Sequence, residues 1–305
     1  MVRGMYSAVS GMLNNQERMD VIGNNIANAN TIAFKDSRMT FAQSFAQESK
    51  SATATTPVGI SVGLGAQISS TDINFTQGAF QLTNIPSDLA IGGDGFFTVT
   101  TQEDGSGTRY FTRAGNFVIN QDGYLQTTDG NYLQGYSSNG SFSTAYTFAD
   151  PTAVTDTSAP PQPIPSATTL SAIIIPTQFT YTTPAAVEKV VNYDIASDGA
   201  INVTGENGTT MIVGYVPVVH FSNNKGLSYQ FNNYYSVSSA SGNPIYNQAG
   251  TGSSGTISNH TLELSNVDLA GQFADMIITQ RGFDANAKTI TATDEMMQTV
   301  INIKR

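Results

Sequence analysis

Few side chains in this sequence have a type and spacing that support catalysis. The 305 residues include no cysteine and only two histidines, His220 and His260, which lie far apart and outside any motif. Asp88 and Asp94 could form a carboxylate pair of the glycosidase kind, since an acidic β-rich protein can bind sugars. However, no tryptophan is present to provide a stacking platform for a sugar ring. The sequence therefore predicts that the protein is not an enzyme.

Two short motifs resemble ligand sites only superficially. Gly92, Gly93 and Gly95 are not followed by Gly-Lys-Ser/Thr, and the segment continues into a strand-like run instead of opening a helix. Residues 103–105 (Glu-Asp-Gly) lack the alternating oxygen ligands of a calcium loop, so we expect an ordinary turn there. We predict neither a cofactor nor a metal.

Charged residues are sparse and unevenly distributed. Residues 1–50 and 262–305 together hold nine Lys+Arg and ten Asp+Glu, whereas the middle of the chain holds four and thirteen. Because no basic patch is available to offset phosphates, we expect no nucleic-acid partner. No apolar run approaches the roughly 18 residues that span a bilayer, so we expect no membrane insertion. Polar residues such as Ser7 and Asn14 also interrupt any N-terminal apolar region, so we expect no cleaved secretory signal.

A seven-residue repeat of large apolar residues marks both ends of the chain. Such a repeat keeps one face of a helix against a partner helix. The repeats predict an inner helical domain made of residues 1–35 and 262–305, whose second helix begins near Asn266 behind a Ser265–Asp268 capping box. The two series are Met5, Met12, Met19 and Ile26, and Leu262, Leu269, Met276, Phe283, Ile290 and Met297.

Between these predicted helices the chain has the composition of a β protein. Residues 36–71 are rich in Ser, Thr, Ala, Gln and Gly and predict a semi-ordered connector. Aromatic and β-branched runs alternating with Asp-Gly and Asn-Gly turns predict a mostly antiparallel β domain over 72–148 and 187–255. The proline-rich segment 149–186 between them is predicted as an extended crossing or a very small outer subdomain. The fold class is thus α+β, with paired N- and C-terminal coiled-coil-like helices and a central β domain.

Four sequence blocks, in this order, carry a family resemblance. They are Asp20 to Asn28 with Thr31 and Phe34-Lys35; Asp88-Leu89-Ala90-Ile91 with Gly95-Phe96-Phe97; Arg113 to Phe117 with Asp122 to Leu125; and Leu262 to Leu269 with Met276-Ile277 and Gln280-Arg281. Together they resemble the flagellar axial proteins, the family of rod, hook and hook-associated subunits. The family usually has glycine before the Phe-Lys pair, where this chain has Ala33.

Within that family the chain is most similar to the hook protein, through Val267-Asp268-Leu269 and Phe221-Ser222-Asn223 among others. Its short length also brings it close to a distal rod protein. The resemblance implies a subunit that polymerises into the hollow hook, a flexible coupling between rod and filament, with the paired helices lining a central channel. It also implies an extracellular location after type III export. The implied partners are further copies of itself, other rod subunits, hook-associated or junction proteins, the hook cap and the export apparatus.

We expect assembly to involve both apolar series and polar side chains on the same helices, namely Asn24, Asn25, Asn28, Gln280 and Arg281. The amides of Asn14, Asn25, Gln280 and Asn286 could bond to neighbouring subunits. Two alternatives remain open for these residues. The apolar series could pair only within one monomer, and the asparagines could simply bond to backbone where the first helix ends. A rival from another class is a secreted β-rich carbohydrate-binding or hydrolytic protein with helical tails.

Overall fold

The computed structural model describes residues 2–50, 60–137, 142, 145–148, 170–182 and 185–303. The chain divides into two compact units. Unit 1 consists of Met1–Asn30, Lys35–Phe75 and Val267–Arg305, and unit 2 consists of Thr31–Phe34 and Thr76–Asn266. Unit 1 is helical with a β arm and unit 2 is built from strands, which confirms the predicted α+β class.

Unit 1 contains two long helices, α1 (Val2–Ala27) and α2 (Leu269–Ile303). At the end of α1 the Asn28 side chain donates hydrogen bonds to the carbonyl and side-chain oxygens of Asn24. Such local side-chain bonds compete with the backbone bonds that would continue a helix, and they accompany the end of α1 here. Asp268 caps α2, since its Oδ1 accepts a hydrogen bond of 3.1 Å from the Ala270 amide. The predicted start near Asn266 is therefore wrong by less than one turn, because Asp268 and not Ser265 is the cap. No helix in the described ranges is both long and apolar enough to cross a bilayer.

The rest of unit 1 is a narrow β arm. Its strands are β1 (Ser37–Gln43), β2 (Ala46–Lys50), β3 (Ile60–Gly63) and β4 (Ala66–Ile73). β1 pairs antiparallel with β4, and β2 with β3. Here the sequence predicted a semi-ordered connector, and the described residues form ordered strands. Polar strands can pair without a core because their backbones bond to each other, and cross-strand pairs such as Thr40 and Ser70, whose hydroxyls lie 2.8 Å apart, add to this.

Unit 2 contains nineteen described strands. They are β5 (Phe80–Leu82), β6 (Leu89–Gly92), β7 (Phe97–Thr100), β8 (Arg109–Thr112), β9 (Phe117–Ile119), β10 (Leu125–Thr127), β11 (Tyr132–Ser137), β12 (Ala145–Phe148), β13 (Ser171–Ala172), β14 (Gln178–Thr182), β15 (Ala185–Ile195), β16 (Ala200–Gly205), β17 (Thr210–Tyr215), β18 (Pro217–His220), β19 (Ser228–Tyr229), β20 (Tyr234–Ser236), β21 (Ile245–Gln248), β22 (Thr256–Asn259) and β23 (Thr261–Glu263).

Thirteen of these strands form one sheet, with the main order β12-β14-β15-β16-β17-β11-β7-β8-β20-β19 and with β9, β10 and β13 attached through β11. Its described pairings are antiparallel except for β12 with β14. The core consists of aromatic and branched side chains with no solvent exposure, such as Phe97, Leu133, Phe179 and Ile201. Of the predicted segment 149–186, residues 149–169, 183 and 184 lie outside the described residues, whereas β13 and β14 belong to this sheet.

Smaller two-stranded sheets complete unit 2 by pairing segments from its two sequence ends. β6 pairs with β22 and β5 with β23. Leu262, the first member of the predicted C-terminal series, lies in β23 opposite Gln81. Its assignment to the inner helical domain is therefore wrong, because a seven-residue interval does not distinguish a helical position from a strand residue upstream of the helix cap. Segment 31–34 belongs here too, since the Ala33 amide donates to the Glu263 carbonyl.

Candidate assembly surface

α1 and α2 lie antiparallel, and small and polar residues make a series of contacts across the seam between them, where Ile22 of α1 is also buried. Gly11 of α1 lies against Asn286 of α2, so that a Cβ atom on Gly11 would be 2.7 Å from the Asn286 Nδ2. Gly282 of α2 lies in the same way against Asn15 of α1, with a corresponding distance of 3.2 Å. Each helix thus contributes one glycine and one asparagine, and each asparagine covers the glycine of the other helix.

Two further polar contacts continue this seam toward the C-terminal end of α1. Arg18 Nη2 lies 3.1 Å from Asp275 Oδ1 in a half-exposed ion pair. Asn25 has only 1% of its surface exposed and donates to the Gln272 side chain at 3.3 Å. The Asn25 amide also exchanges two hydrogen bonds with the backbone of Ser37, at the start of β1. Asn25 therefore joins both helices and the arm.

Buried threonines occupy further positions of the seam on α2. Thr279 and Thr293 are buried, and each hydroxyl donates at 2.7 Å to the carbonyl four residues earlier in the helix. Their polar atoms are thereby satisfied without a partner on α1. With Gln272 and Asn286 they form a second seven-residue series, offset by three positions from the predicted apolar one.

The outward faces of the helices carry large apolar side chains instead. Ile278 of α2 has 61% of its surface exposed, and Ile303 has 79%. The antiparallel register aligns residue 2 of α1 with about residue 295 of α2, so the last turns of α2 extend past α1. We call this set the outer apolar surface; it consists of Tyr6, Leu13, Leu269, Phe273, Ile277, Ile278, Met296, Val300, Ile301 and Ile303.

The predicted assembly residues fall into four groups in the structure. Those at half-buried positions flanking the seam are Met5, Met12, Met19, Ile26, Met276, Phe283, Ile290 and Met297. Exposed ones are Asn24, Leu269, Gln280 and Arg281. Asn25 and Asn28 use their amides within the chain, so the prediction that the Asn25 amide is free for a neighbouring subunit is wrong. Leu262 belongs to unit 2, as described above.

Sequence reasoning missed the polar seam and most of the outer apolar surface. Gly11, Asn15, Asp275 and Gln272 are small or polar, whereas the predicted series consists of large apolar residues. A signal was available: Gly11 and Asn15 on one helix and Gly282 and Asn286 on the other repeat the same Gly-x-x-x-Asn spacing. That spacing places both residues on one helix face.

In unit 2 the side chains that could have formed a chemical site have structural roles. Asp104 accepts hydrogen bonds from the amide and hydroxyl of Ser106, which lower the pKa of its carboxyl group and form the ordinary turn that the sequence predicted. The backbone of Asp88 makes a bridge to Asn116 and accepts a hydrogen bond from Thr261. Within the described part of the chain, no three His, Asp or Glu side chains are grouped so that they could hold a metal ion.

Three protein-family descriptions match successive parts of the chain. "Flagella basal body rod protein" matches residues 5–35, "Flagellar hook protein FlgE/F/G D1 domain" matches residues 90–203, and "Flagellar basal body rod FlgEFG protein C-terminal" matches residues 258–303. The first and last matches cover α1 and α2, and the middle one covers much of the large sheet.

Individual relatives agree with these matches. The chain is 37% identical over 311 residues to the flagellar basal-body rod protein FlgG of Bacillus subtilis, and all of both chains is covered. In Borreliella burgdorferi it is 29% identical over 312 residues to FlgG and 28% identical over 447 residues to the flagellar hook protein FlgE, again covering all of each chain. The chain belongs to the family of flagellar rod and hook proteins, which are structural components of the bacterial flagellum.

Proposed function

We propose that this chain is a subunit of the distal flagellar rod. The observation that supports a rod over a hook is the length of the alignments in one organism. The alignment of this chain with the Borreliella burgdorferi rod protein is 312 residues long, whereas the alignment with the hook protein of the same organism is 447 residues long. Since this chain has 305 residues, the hook relative has over a hundred residues without a counterpart here.

The hook is the second candidate, and membership of this family is compatible with it. The D1-domain description that matches residues 90–203 names FlgE together with F and G. The alignments with the hook proteins of Borreliella burgdorferi and Escherichia coli run nearly from end to end of those proteins, with gaps where this chain is shorter. A hook subunit with a shortened outer part would have the same two helices and the same β domain.

Polymerisation through unit 1 follows from the distribution of apolar and polar residues over its helix pair. A helix pair that acts alone in water buries its large apolar residues between the helices and exposes polar ones. Here the seam contains Gly, Asn and Thr, while isoleucines such as Ile277 and Ile278 point outward. Covering one such side chain gains about 1.5–3 kcal/mol, so several together offset the roughly 4–15 kcal/mol that association costs.

The occupant of this surface is another copy of the chain. The segments 1–50 and 262–305, which contain both helices, carry nearly balanced charge, with nine basic and ten acidic residues, so identical copies repel each other little there. Stacked copies would form a hollow tube whose inner wall is made of these helices. The Phe41, Phe45 and Leu64 side chains of the β arm are exposed and would add contacts between copies.

The remaining parts of the proposal concern the route and the neighbours. The subunit is exported by the flagellar type III apparatus without a cleaved signal and assembles outside the cytoplasm. Its neighbours in the assembled structure are other rod subunits on one side and hook components on the other. Hook-associated and junction proteins or the hook cap would be direct partners only if the chain built the hook.

Imaging of labelled flagella tests the rod assignment. A short epitope inserted at the exposed Asn207-Gly208 turn would mark each subunit in cells that carry no other copy of the protein. We expect the label in the straight segment that crosses the periplasm. A label on the curved segment at the cell surface would instead identify a hook subunit and overturn the rod assignment. Motility of the labelled strain serves as the control that the insertion is tolerated.

Deleting both helices distinguishes a polymerising flagellar subunit from a secreted carbohydrate-binding or hydrolytic protein. A truncated chain retaining residues 31–266 should remain monomeric and inert. Retained binding to a polysaccharide, measured by co-sedimentation with cell-wall glycan, would support a carbohydrate-binding protein instead.

A further inference from the structure

The two apolar heptad series cannot by themselves fix how α1 and α2 align. Moving α2 by seven residues along α1 places each member of one series opposite the next member of the other. Met12, for example, would exchange one large apolar neighbour for another. Only one pairing at the end is lost, so two alignments that differ by about 10 Å, or seven residues of 1.5 Å rise, are nearly equal in apolar contact.

The polar seam, in contrast, does not repeat. The contacts Gly11–Asn286, Asn15–Gly282 and Asn25–Gln272 all join positions whose numbers add to the same value, and Arg18–Asp275 lies within one turn of that alignment. They therefore define one antiparallel register.

Moving the helices by seven residues in one direction destroys all four contacts. Asn15 would then face Thr289 instead of Gly282, and its side chain would meet a β-branched residue. Arg18 would face Gly282 and lose its carboxylate partner. The Asn25 side chain would face Thr279, whose hydroxyl is already bonded within its own helix.

A move in the other direction is no better. Asn286 would find a glycine at Gly4, but Asn15 would face Asp275 in place of a glycine. Gln272 would align with Arg18 and no longer with Asn25. A buried amide that loses its partner costs about 1–3 kcal/mol, which is enough to separate alignments that the apolar residues leave nearly equal.

We propose that the seam residues Gly11, Asn15, Arg18 and Asn25 of α1, with Gln272, Asp275, Gly282 and Asn286 of α2, determine the register of the helix pair. The reciprocal glycine–asparagine pairs select this register, because each asparagine fits only where the opposite helix has no side chain. A correct register in every copy is a precondition for identical subunits in a regular tube. The inference holds for a rod or a hook subunit alike, and its test measures alignment within one chain and not cellular location.

Distance measurement between two spin labels tests this directly, and the absence of cysteine makes the labelling specific. The full-length chain carries Glu17→Cys and Glu295→Cys, both at exposed positions outside the seam. Labelled protein is diluted into an excess of unlabelled protein so that only pairs within one chain contribute. The parent chain should give a single distance. Removing three polar side chains of the seam, and with them three of its four contacts, by Asn15→Ala, Arg18→Ala and Asn286→Ala should produce a second distance, corresponding to a move of about 10 Å along the helix axis.

The matched control removes two amides and one arginine from exposed positions on the same helices, by Asn24→Ala, Gln280→Ala and Arg281→Ala. It should keep the single parent distance. If the seam variant also keeps that distance, the register is set by the rest of the chain and the inference is overturned.

An exchange of one glycine–asparagine pair covers the case in which the seam variant loses its helices. Gly11→Asn alone should displace or broaden the distance, because two asparagines then face each other. Gly11→Asn combined with Asn286→Gly should restore the parent distance. A double variant no closer to the parent than Gly11→Asn alone would overturn the inference.

Discussion

Arg113 Nη1 lies 3.3 Å from Glu263 Oε2 in an ion pair whose side chains are 3% and 0% exposed. Arg113 also donates to the Gly93 carbonyl, and its guanidinium group lies 5.6 Å from the centre of the Phe96 ring. Glu263 Oε1 accepts a hydrogen bond of 2.9 Å from the Gly78 amide. The pair therefore ties the last strand of unit 2 to three earlier segments.

Removing one partner of this ion pair should destabilise unit 2 strongly. Arg113→Met leaves a buried carboxylate without its counter-charge, which costs about 3–5 kcal/mol. We expect a lower urea midpoint for unfolding of unit 2, followed by tyrosine fluorescence. Arg113→Met with Glu263→Met should recover much of the loss, because neither charge is then left unpaired.

The exposed pair Arg38–Asp72 provides the control. Its charged groups lie 3.9 Å apart and the arginine side chain is 72% exposed, so Arg38→Met should change stability by less than about 1 kcal/mol. Equal losses for Arg113→Met and Arg38→Met would contradict the role given to the buried pair.

Ala33 should tolerate glycine unusually well. Its φ angle of 55° lies in the left-handed region, which costs an alanine roughly 1–2 kcal/mol and a glycine almost nothing. This gain offsets the lost methyl group and the greater freedom of glycine in the unfolded chain. We expect Ala33→Gly to stay within about 0.5 kcal/mol of the parent by urea unfolding.

Ala90→Gly in strand β6 is the matched change at a buried alanine that does not have a positive φ angle. It should lose more than about 1 kcal/mol, since only the costs of glycine apply there. An Ala33→Gly loss as large as this one would mean that the backbone at residue 33 is not strained.

Stability should fall in alkaline solution through the buried tyrosines. Burial raises the pKa of Tyr235, with a smaller contribution from Tyr229, and burial also raises the pKa of Tyr136. Because the folded-state pKa is above the unfolded value of about 10, the stability they contribute is fully present below pH 10 and is lost as the pH rises further.

Tyr235→Phe tests the size of this effect. Above pH 10 each such tyrosine lowers the free energy of unfolding by up to about 1.4 kcal/mol per pH unit, so the variant should show a slope shallower by that amount. The measurement is a series of urea unfolding curves between pH 8 and pH 11. Parallel curves for parent and variant would refute the assignment.

Charges on the two faces of α2 should separate assembly from folding. Ile278→Asp places a carboxylate on the outer apolar surface and should abolish polymerisation while leaving the helical circular dichroism signal unchanged. Phe283→Asp, at a half-buried position beside the seam, should reduce helical signal as well as polymerisation, with unit 2 still folded. Lys288→Asp, at an exposed position of the same helix that already carries a charge and is not part of the outer apolar surface, is the control and should polymerise normally. Normal polymers from Ile278→Asp, seen by electron microscopy, would exclude the outer apolar surface as an interface.

The two helices could be predicted because their information is local. The N-terminal apolar series ends at Ile26, one residue before the end of α1, and the polar residues Asn28 and Asp268 mark the end of α1 and the start of α2. Leu262 was assigned to the wrong domain because the seven-residue periodicity continues by coincidence beyond the helix cap. Here the side-chain hydrogen bond at Asp268, and not the spacing, decides where the helix begins.

The strand pairings and the seam could not be read from spacing alone. The β arm was missed because Ser- and Thr-rich strands resemble linkers in composition, although their backbones pair well. The polar seam was missed because its residues are small or polar and because contacts such as Asn25–Gln272 join distant parts of the chain. In the same way, no local signal indicates that Glu263 pairs with Arg113.

The pairing of β5 with β23 and of β6 with β22 has a consequence for the timing of folding. Contacts between such distant segments close a very long loop, and they form late because the lost chain entropy is regained only at the final step. Unit 2 therefore remains unfinished until nearly all of its sequence is present. A polypeptide that emerges gradually from a narrow channel would keep this unit unfolded during most of its transit and would complete folding only after nearly the whole chain had emerged.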